Sequence, residues 1–162
     1  MIFYFSGTGN SRYIAKHIAT LTNDTHVSIT EKEISPTNDE RIGLFFPVHA
    51  WSAPIVMEEF LSNRLSKLIT HPSPYIYMVC TCGDDIGKTH NIVAEILKKN
   101  GLHLSAAFSL IMPDSYIGLP GFDINSEEVE RSKIEQSIKK LPRIAEFILQ
   151  NKTVEEVKPG PF

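Results

Sequence analysis

Ile2-Phe3-Tyr4-Phe5-Ser6-Gly7-Thr8-Gly9-Asn10-Ser11 opens the chain with a short apolar run followed at once by six small or polar residues. From Ser11 onward Ile14, Ala15, Ile18 and Ala19 recur at helical spacing, which places them on one face. Strand, tight turn and helix in that order make the first part of a βα alternation, and the rest of the 162-residue chain repeats it. Further strands are expected at 26–30, 42–46, 75–79 and 102–111. A second helix opens at Pro54 and uses Ile55, Val56, Met57, Phe60, Leu61 and Leu65, because proline in a first turn loses no needed hydrogen bond. A third runs from about Ile86 through Val93, Ile96 and Leu97 to the stop signal Asn100-Gly101. A fourth covers 127–150 on the stripe Ile134, Ile138, Leu141, Ala145 and Ile148, with Asn125 and Glu128 resembling a capping box and Pro142 expected to kink or split it. Residues 31–40, with Pro36, Asn38 and Asp39, are expected to form a surface loop with room for one helical turn.

Five strands alternating with four helices call for an α/β fold, an open and mostly parallel sheet with helices on both faces, joined by right-handed crossovers. One domain over 1–150 accounts for the pattern, and 151–162 is expected to be a C-terminal tail or linker stump. Nineteen acidic against sixteen basic residues leave a net charge of −3, which gives no field favouring nucleic acid or an anionic bilayer. No stretch approaches the ~20 apolar residues of a membrane span, and the N-terminus lacks the basic region of a secretory signal. Cys80 and Cys82 are the only cysteines. Their spacing is too tight for an ordinary structural disulfide, and two thiols cannot hold a four-thiolate cluster. The expected setting is the cytoplasm.

The block Ser6 to Ser11 occupies the turn beyond the carboxyl end of the first strand, where open α/β sheets bind ligands. Glycines let successive N–H groups converge on one anion. Ser6, Thr8 and Ser11 add hydroxyls, Asn10 an amide, and the helix start its partial positive charge. A donor set without Lys or a magnesium ligand suits a phosphomonoester. A plain strand-to-helix turn needs one capping residue, not six polar ones in a row.

Two nucleotide motifs are approached and missed. Gly7-x-Gly9 could begin a dinucleotide fingerprint, but Arg12 stands where the third glycine belongs. The stretch Gly83-Asp84-Asp85-Ile86-Gly87-Lys88-Thr89 has one residue too few between its glycines for a P-loop, and its adjacent carboxylates repel a triphosphate. Helix-start capping by Asp84 or Asp85 explains those acids more simply. The six histidines lack metal-ligand spacing.

Two further loops point toward the same sheet edge: 47–53 with His49 and Trp51, and 81–88 with Cys82, Asp84 and Asp85. An aromatic side chain can cover a flat ring while backbone groups satisfy its polar rim. Tyr4-Phe5-Ser6-Gly7-Thr8-Gly9-Asn10-Ser11 resembles the phosphate loop of the flavodoxin family, and in particular the flavodoxin-like domain of bacterial and archaeal proteins that also carry a ferredoxin module. Pro47-Val48-His49-Ala50-Trp51-Ser52-Ala53-Pro54 is similar to that group's second flavin loop, and Thr81-Cys82-Gly83-Asp84 lies where the third is found.

The resemblance implies a flavodoxin-like three-layer sandwich with strand order 2-1-3-4-5 and FMN at the edge between the first and third strands. Ser6, Gly7, Thr8, Gly9, Asn10 and Ser11 would hold the phosphate. Pro47, Val48, His49, Ala50 and Trp51 would line one side of the ring, and Thr81, Cys82, Gly83 and Asp84 would meet its pyrimidine edge. Tyr116 is a further candidate for covering the ring. The expected function is electron transfer to or from a redox protein, such as a ferredoxin or ferredoxin-like domain, by a monomer or weak dimer. The alternative is an NAD(P)H-dependent FMN or quinone reductase. FMN supplies the redox chemistry and the protein tunes it; Asp84 and Asp85 would disfavour added negative charge on the ring. His49 could bond near the ring or face water, Trp51 could stack, cap the pocket or pack on the next helix, and both cysteines are expected to be structural.

Overall fold

In the computed structural model, which describes residues 1–113 and 125–161, the chain forms β1 (Ile2–Tyr4), α1 (Asn10–Thr22), β2 (His26–Ser28), β3 (Arg41–Pro47), α2 (Ile55–Asn63), a one-turn α3 (Leu65–Leu68), β4 (Tyr75–Cys82), α4 (Thr89–Lys99), β5 (Leu104–Ile111), α5 (Glu127–Leu149) and β6 (Val154–Glu156). The strands make one sheet in the order β2-β1-β3-β4-β5-β6, and every pairing is parallel. All eight residues of β4 are buried, as expected for a central strand covered on both faces. Alternation along it feeds two cores: Tyr75, Tyr77 and Val79 pack beneath α1 and α5 with Ile14, Ile18, Leu141, Ile144 and Ile148. Ile76, Met78, Cys80 and Cys82 pack beneath α2 and α4 with Met57, Phe60, Leu61, Val93 and Leu97.

The sheet order expected for five strands is present, extended by a sixth. Val154, Glu155 and Glu156 pair with Ala106, Ala107 and Phe108, so part of the segment assigned to a tail belongs to the sheet. Its polar sequence hides it, because an edge strand needs only a ladder partner and one packed side chain, here Val154. The β2–β3 connection contains no helix. It is instead fastened by Thr37 N–H to Leu68 O at 2.8 Å, Thr70 N–H to Thr37 O at 2.9 Å, and the Arg64 guanidinium on Ile29 O and Glu31 O.

Several details of the elements differ from expectation. α4 begins at Thr89 because Ile86 N–H is drawn to Lys158 O and Gly87 has φ +54°. Asp85 Oδ1 accepts from Gly87 N–H in the turn before the helix and so does not cap the helix itself. α5 is capped by Ser126, whose side chain accepts from Val129 N–H, and not by Asn125. It continues through Pro142 as one element. Pro142 is exposed, so the carbonyl left without its N–H partner can be satisfied by water.

Candidate functional site

The carboxyl ends of β1, β3, β4 and β5 converge on a cleft of about 420 Å³, lined by Gly7, Thr8 and Asn10, by Pro47 to Ala50, by Thr81 to Gly83, and by Met112 and Pro113. Sheet pairing fixes where each loop departs, since the ladder runs one residue beyond the strands. Phe5 N–H donates to Phe45 O (2.9 Å), Val48 N–H to Thr81 O (2.8 Å) and Met112 N–H to Cys82 O (2.8 Å).

In the first loop Ser6 Oγ accepts from Gly9 N–H at 3.0 Å. Gly9, at the N-cap of α1, has φ +101°, a conformation that only glycine adopts without strain. The first helical bond is Tyr13 N–H to Gly9 O. Among the described residues nothing accepts from the N–H groups of Gly7, Thr8, Asn10, Ser11 or Arg12, nor pairs with the Thr8 hydroxyl or the Asn10 amide. No acid stands in the first turn of α1. Free peptide N–H groups at a helix start are an anion site by geometry and by dipole. Ser11 is the exception within the block: its hydroxyl is buried and shares a 2.9 Å hydrogen bond with Thr81 Oγ1, leaving its N–H for a ligand.

The second loop is a two-residue turn. His49 and Ser52 exchange both backbone hydrogen bonds, at 2.9 and 3.0 Å, while Ala50 and Trp51 take φ +47° and +61°. Positive φ at both central positions is the type I′ pattern, normally the territory of Asn and Gly. Ser52 Oγ donates to Glu58 Oε1 at 2.6 Å, pinning the turn to α2. The His49 ring meets Phe5 edge-on at 6.5 Å, and Trp51 stands at the tip with 47 % of its surface exposed.

The third loop follows β4. Cys82 lines the cleft and directs its thiol to Leu110 O and Asp84 O, each at 3.7 Å. Cys80 is fully enclosed, and burial pushes its thiol well above the ordinary range, so it is a core residue. Neither cysteine is in a disulfide. Gly83 and Asp84 offer backbone N–H groups with no acceptor among the described residues. The Asp84 carboxylate turns away to Lys158 Nζ, and that lysine is held protonated above its usual range by the contact.

Ten of the fifteen residues expected at the site therefore line the cleft. Ser6, Gly9 and Ser11 shape the first loop from behind, Trp51 stands at the rim, and Asp84 contributes its backbone. Met112 and Pro113 were missed; their only signal in the sequence is that they follow the last apolar run. Tyr116 lies outside the described residues. Among the described residues no cluster of His, Cys, Asp or Glu could hold a metal ion, and no helix is long and apolar enough to cross a membrane.

Residues 1–116 match the family model of the flavodoxin domain. Among solved structures, a flavodoxin from the domain Archaea superposes with a TM-score of 0.60 at 15 % identity, covering 91 % of this chain and 96 % of that one. The two-electron reduced flavodoxin of Megasphaera elsdenii gives 0.55 at 20 % identity, over 71 % and 88 %. An azoreductase from Bacillus anthracis gives 0.54 at 8 % identity, over 89 % and 97 %. At such identities the likeness is one of fold. No curated protein sequence is similar enough to match.

Proposed function

The chain belongs to the flavodoxin-domain family, and on that premise we propose that it holds FMN in the cleft and carries electrons to or from a redox protein in the cytoplasm. Family membership implies a flavin. The unengaged N–H groups of Gly7, Thr8, Asn10, Ser11 and Arg12, with the Thr8 hydroxyl and Asn10 amide beside them, carry the choice of FMN: they make a seat for one terminal phosphate that would be left empty by riboflavin. The cleft has the size of a small-molecule pocket. Its third loop offers peptide donors from Gly83 and Asp84 to the polar rim of the ring, and the second loop supplies Pro47, Val48 and Ala50 as an apolar wall. When bound, FMN supplies the electron chemistry; the protein binds it, orients it and sets its surroundings.

Electron carriage is favoured over substrate reduction by the lining itself. Among the described residues it contains no lysine, arginine or carboxylate side chain, so beyond the N–H groups assigned to the FMN phosphate it offers no charged group to a dinucleotide phosphate, and His49 and the Cys82 thiol are its titratable side chains. The partner proposed is a ferredoxin or ferredoxin-like domain, which would approach at the mouth of the cleft. Purified protein is expected to be yellow, or to become so with added FMN, and to accept electrons from one-electron donors while NADH and NADPH leave the spectrum unchanged. A colourless protein that ignores FMN would overturn the cofactor; rapid bleaching by NAD(P)H would replace the carrier with a reductase.

A further inference from the structure

We propose that residues 157–160 form a strap that holds the loop between β4 and α4 in the shape needed at the ring end of the cofactor, with Lys158 as a positioning residue; the inference rests on the flavin reading above. After β6 the chain runs on along the carboxyl ends of the strands. Lys158 N–H donates to Ser109 Oγ at 2.8 Å, and Lys158 O accepts from Ile86 N–H at 3.0 Å. Gly160 N–H reaches Gly87 O at 3.3 Å, and Lys158 Nζ pairs with Asp84. A Cβ at Gly160 would meet Asp85 Oδ1 and force that carboxylate to shift. That oxygen is already committed to Gly87 N–H at 2.9 Å. One strand back, Glu155 Oε1 lies 3.4 Å from His90 Nε2 in the first turn of α4.

Within residues 83–87 the loop's own hydrogen bonding, among the described residues, is the Asp85–Gly87 turn; from outside it is held by the buried Ile86 side chain, by Lys133 Nζ on Gly83 O at 3.3 Å and by the Cys82 thiol on Asp84 O, and the strap adds the contacts to Asp84, Ile86 and Gly87. A loop ordered before binding spares the ligand that cost. Charge adds a second effect. Lys158 offsets Asp84 next to the peptide groups proposed to meet the ring, so losing the lysine leaves an uncompensated carboxylate that disfavours negative charge on the reduced ring.

The test uses the full chain with Lys158→Met, Lys158→Arg and Gly160→Ala. It reads amide exchange at Ile86, the FMN dissociation constant, the flavin midpoint potential and melting of the flavin-free protein. Lys158→Met is expected to speed exchange at Ile86, weaken FMN about threefold, as suits an exposed ion pair, and lower the potential. Lys158→Arg should restore all three, and Gly160→Ala should weaken FMN and speed exchange with its lysine intact. A wild-type protein that takes up no FMN removes the flavin reading and this proposal together. Wild-type binding with unchanged affinity and exchange in Lys158→Met and Gly160→Ala removes the strap alone. Lower melting with unchanged affinity and potential makes the segment purely structural and overturns the proposal.

Discussion

The hydroxyls of Ser11 and Thr81 lie 2.9 Å apart, buried, and tie the first turn of α1 to the end of β4. The strand leading to Ser11, β1, and the strand carrying Thr81 flank β3, so this bond couples the first and third loops directly. The phosphate-type cradle and the loop proposed for the ring's polar rim are thereby set in one frame.

Ser11→Ala should destabilise the protein by about 1–3 kcal/mol, the cost of leaving the Thr81 hydroxyl buried without a partner. Thr81→Val should do the same from the other side. The double variant should lose less than the two singles summed, since neither hydroxyl then remains orphaned. Urea unfolding of the four proteins measures the coupling, and strict additivity would show that the bond contributes nothing.

Gly9 and Gly7 should respond differently to alanine. At Gly9 the backbone angle of +101° makes a side chain costly, so Gly9→Ala should lower stability by about 1–2 kcal/mol. Gly7 is outside the positive-φ set and a Cβ there meets nothing within 4 Å. Gly7→Ala should therefore leave the unfolding free energy within about 0.5 kcal/mol of wild type and act, if anywhere, on ligand affinity. Paired denaturant curves and FMN titrations separate the two effects.

The parts of this fold legible in the sequence are those whose physics is local. The apolar run 75–79, the helical stripes and the polar block after Phe5 each signal their element through spacing or composition alone. What escaped depends on distant partners. Nothing in Val154-Glu155-Glu156 announces a strand until β5 is beside it. Ile86 is withheld from α4 by an acceptor 72 positions away, Lys158 O. Asp84 and Asp85 suggest a negative rim for the ring until Lys158 and Gly87 are seen to engage them.

The turn at Ala50 and Trp51 escaped for a different reason, because its residues contradict its conformation. Two left-handed non-glycine residues in succession are strained, and such strain is concentrated at ligand-binding loops. Ala50→Asn supplies a residue that tolerates this region and should raise stability by about 0.5–1 kcal/mol. Thermal unfolding would show it; an unchanged or lower midpoint would mean that the turn is not under strain at Ala50.

Alkaline pH should weaken the fold in a defined order. Burial raises the Cys80 thiol well above its ordinary 9.0, raises Tyr77 well above 10.0 and lifts Tyr75 to about 12; Tyr75 also donates to Lys152 O at 2.7 Å. Each is an acid whose folded value exceeds its unfolded value. The unfolded chain therefore releases these protons first, and the folded state binds more of them as pH rises. Stability from these groups is complete below pH 9 and declines above it, first through Cys80 and then, above 10, through the tyrosines, the Tyr75 share being lost by about 12. Urea midpoints from pH 7 to 11 should fall across that range. Tyr75→Phe, lower at neutral pH for want of its hydrogen bond, should show a shallower decline above pH 10. Wild-type midpoints that stay level to pH 11 would mean that these side chains ionise as readily in the native protein as in the unfolded chain.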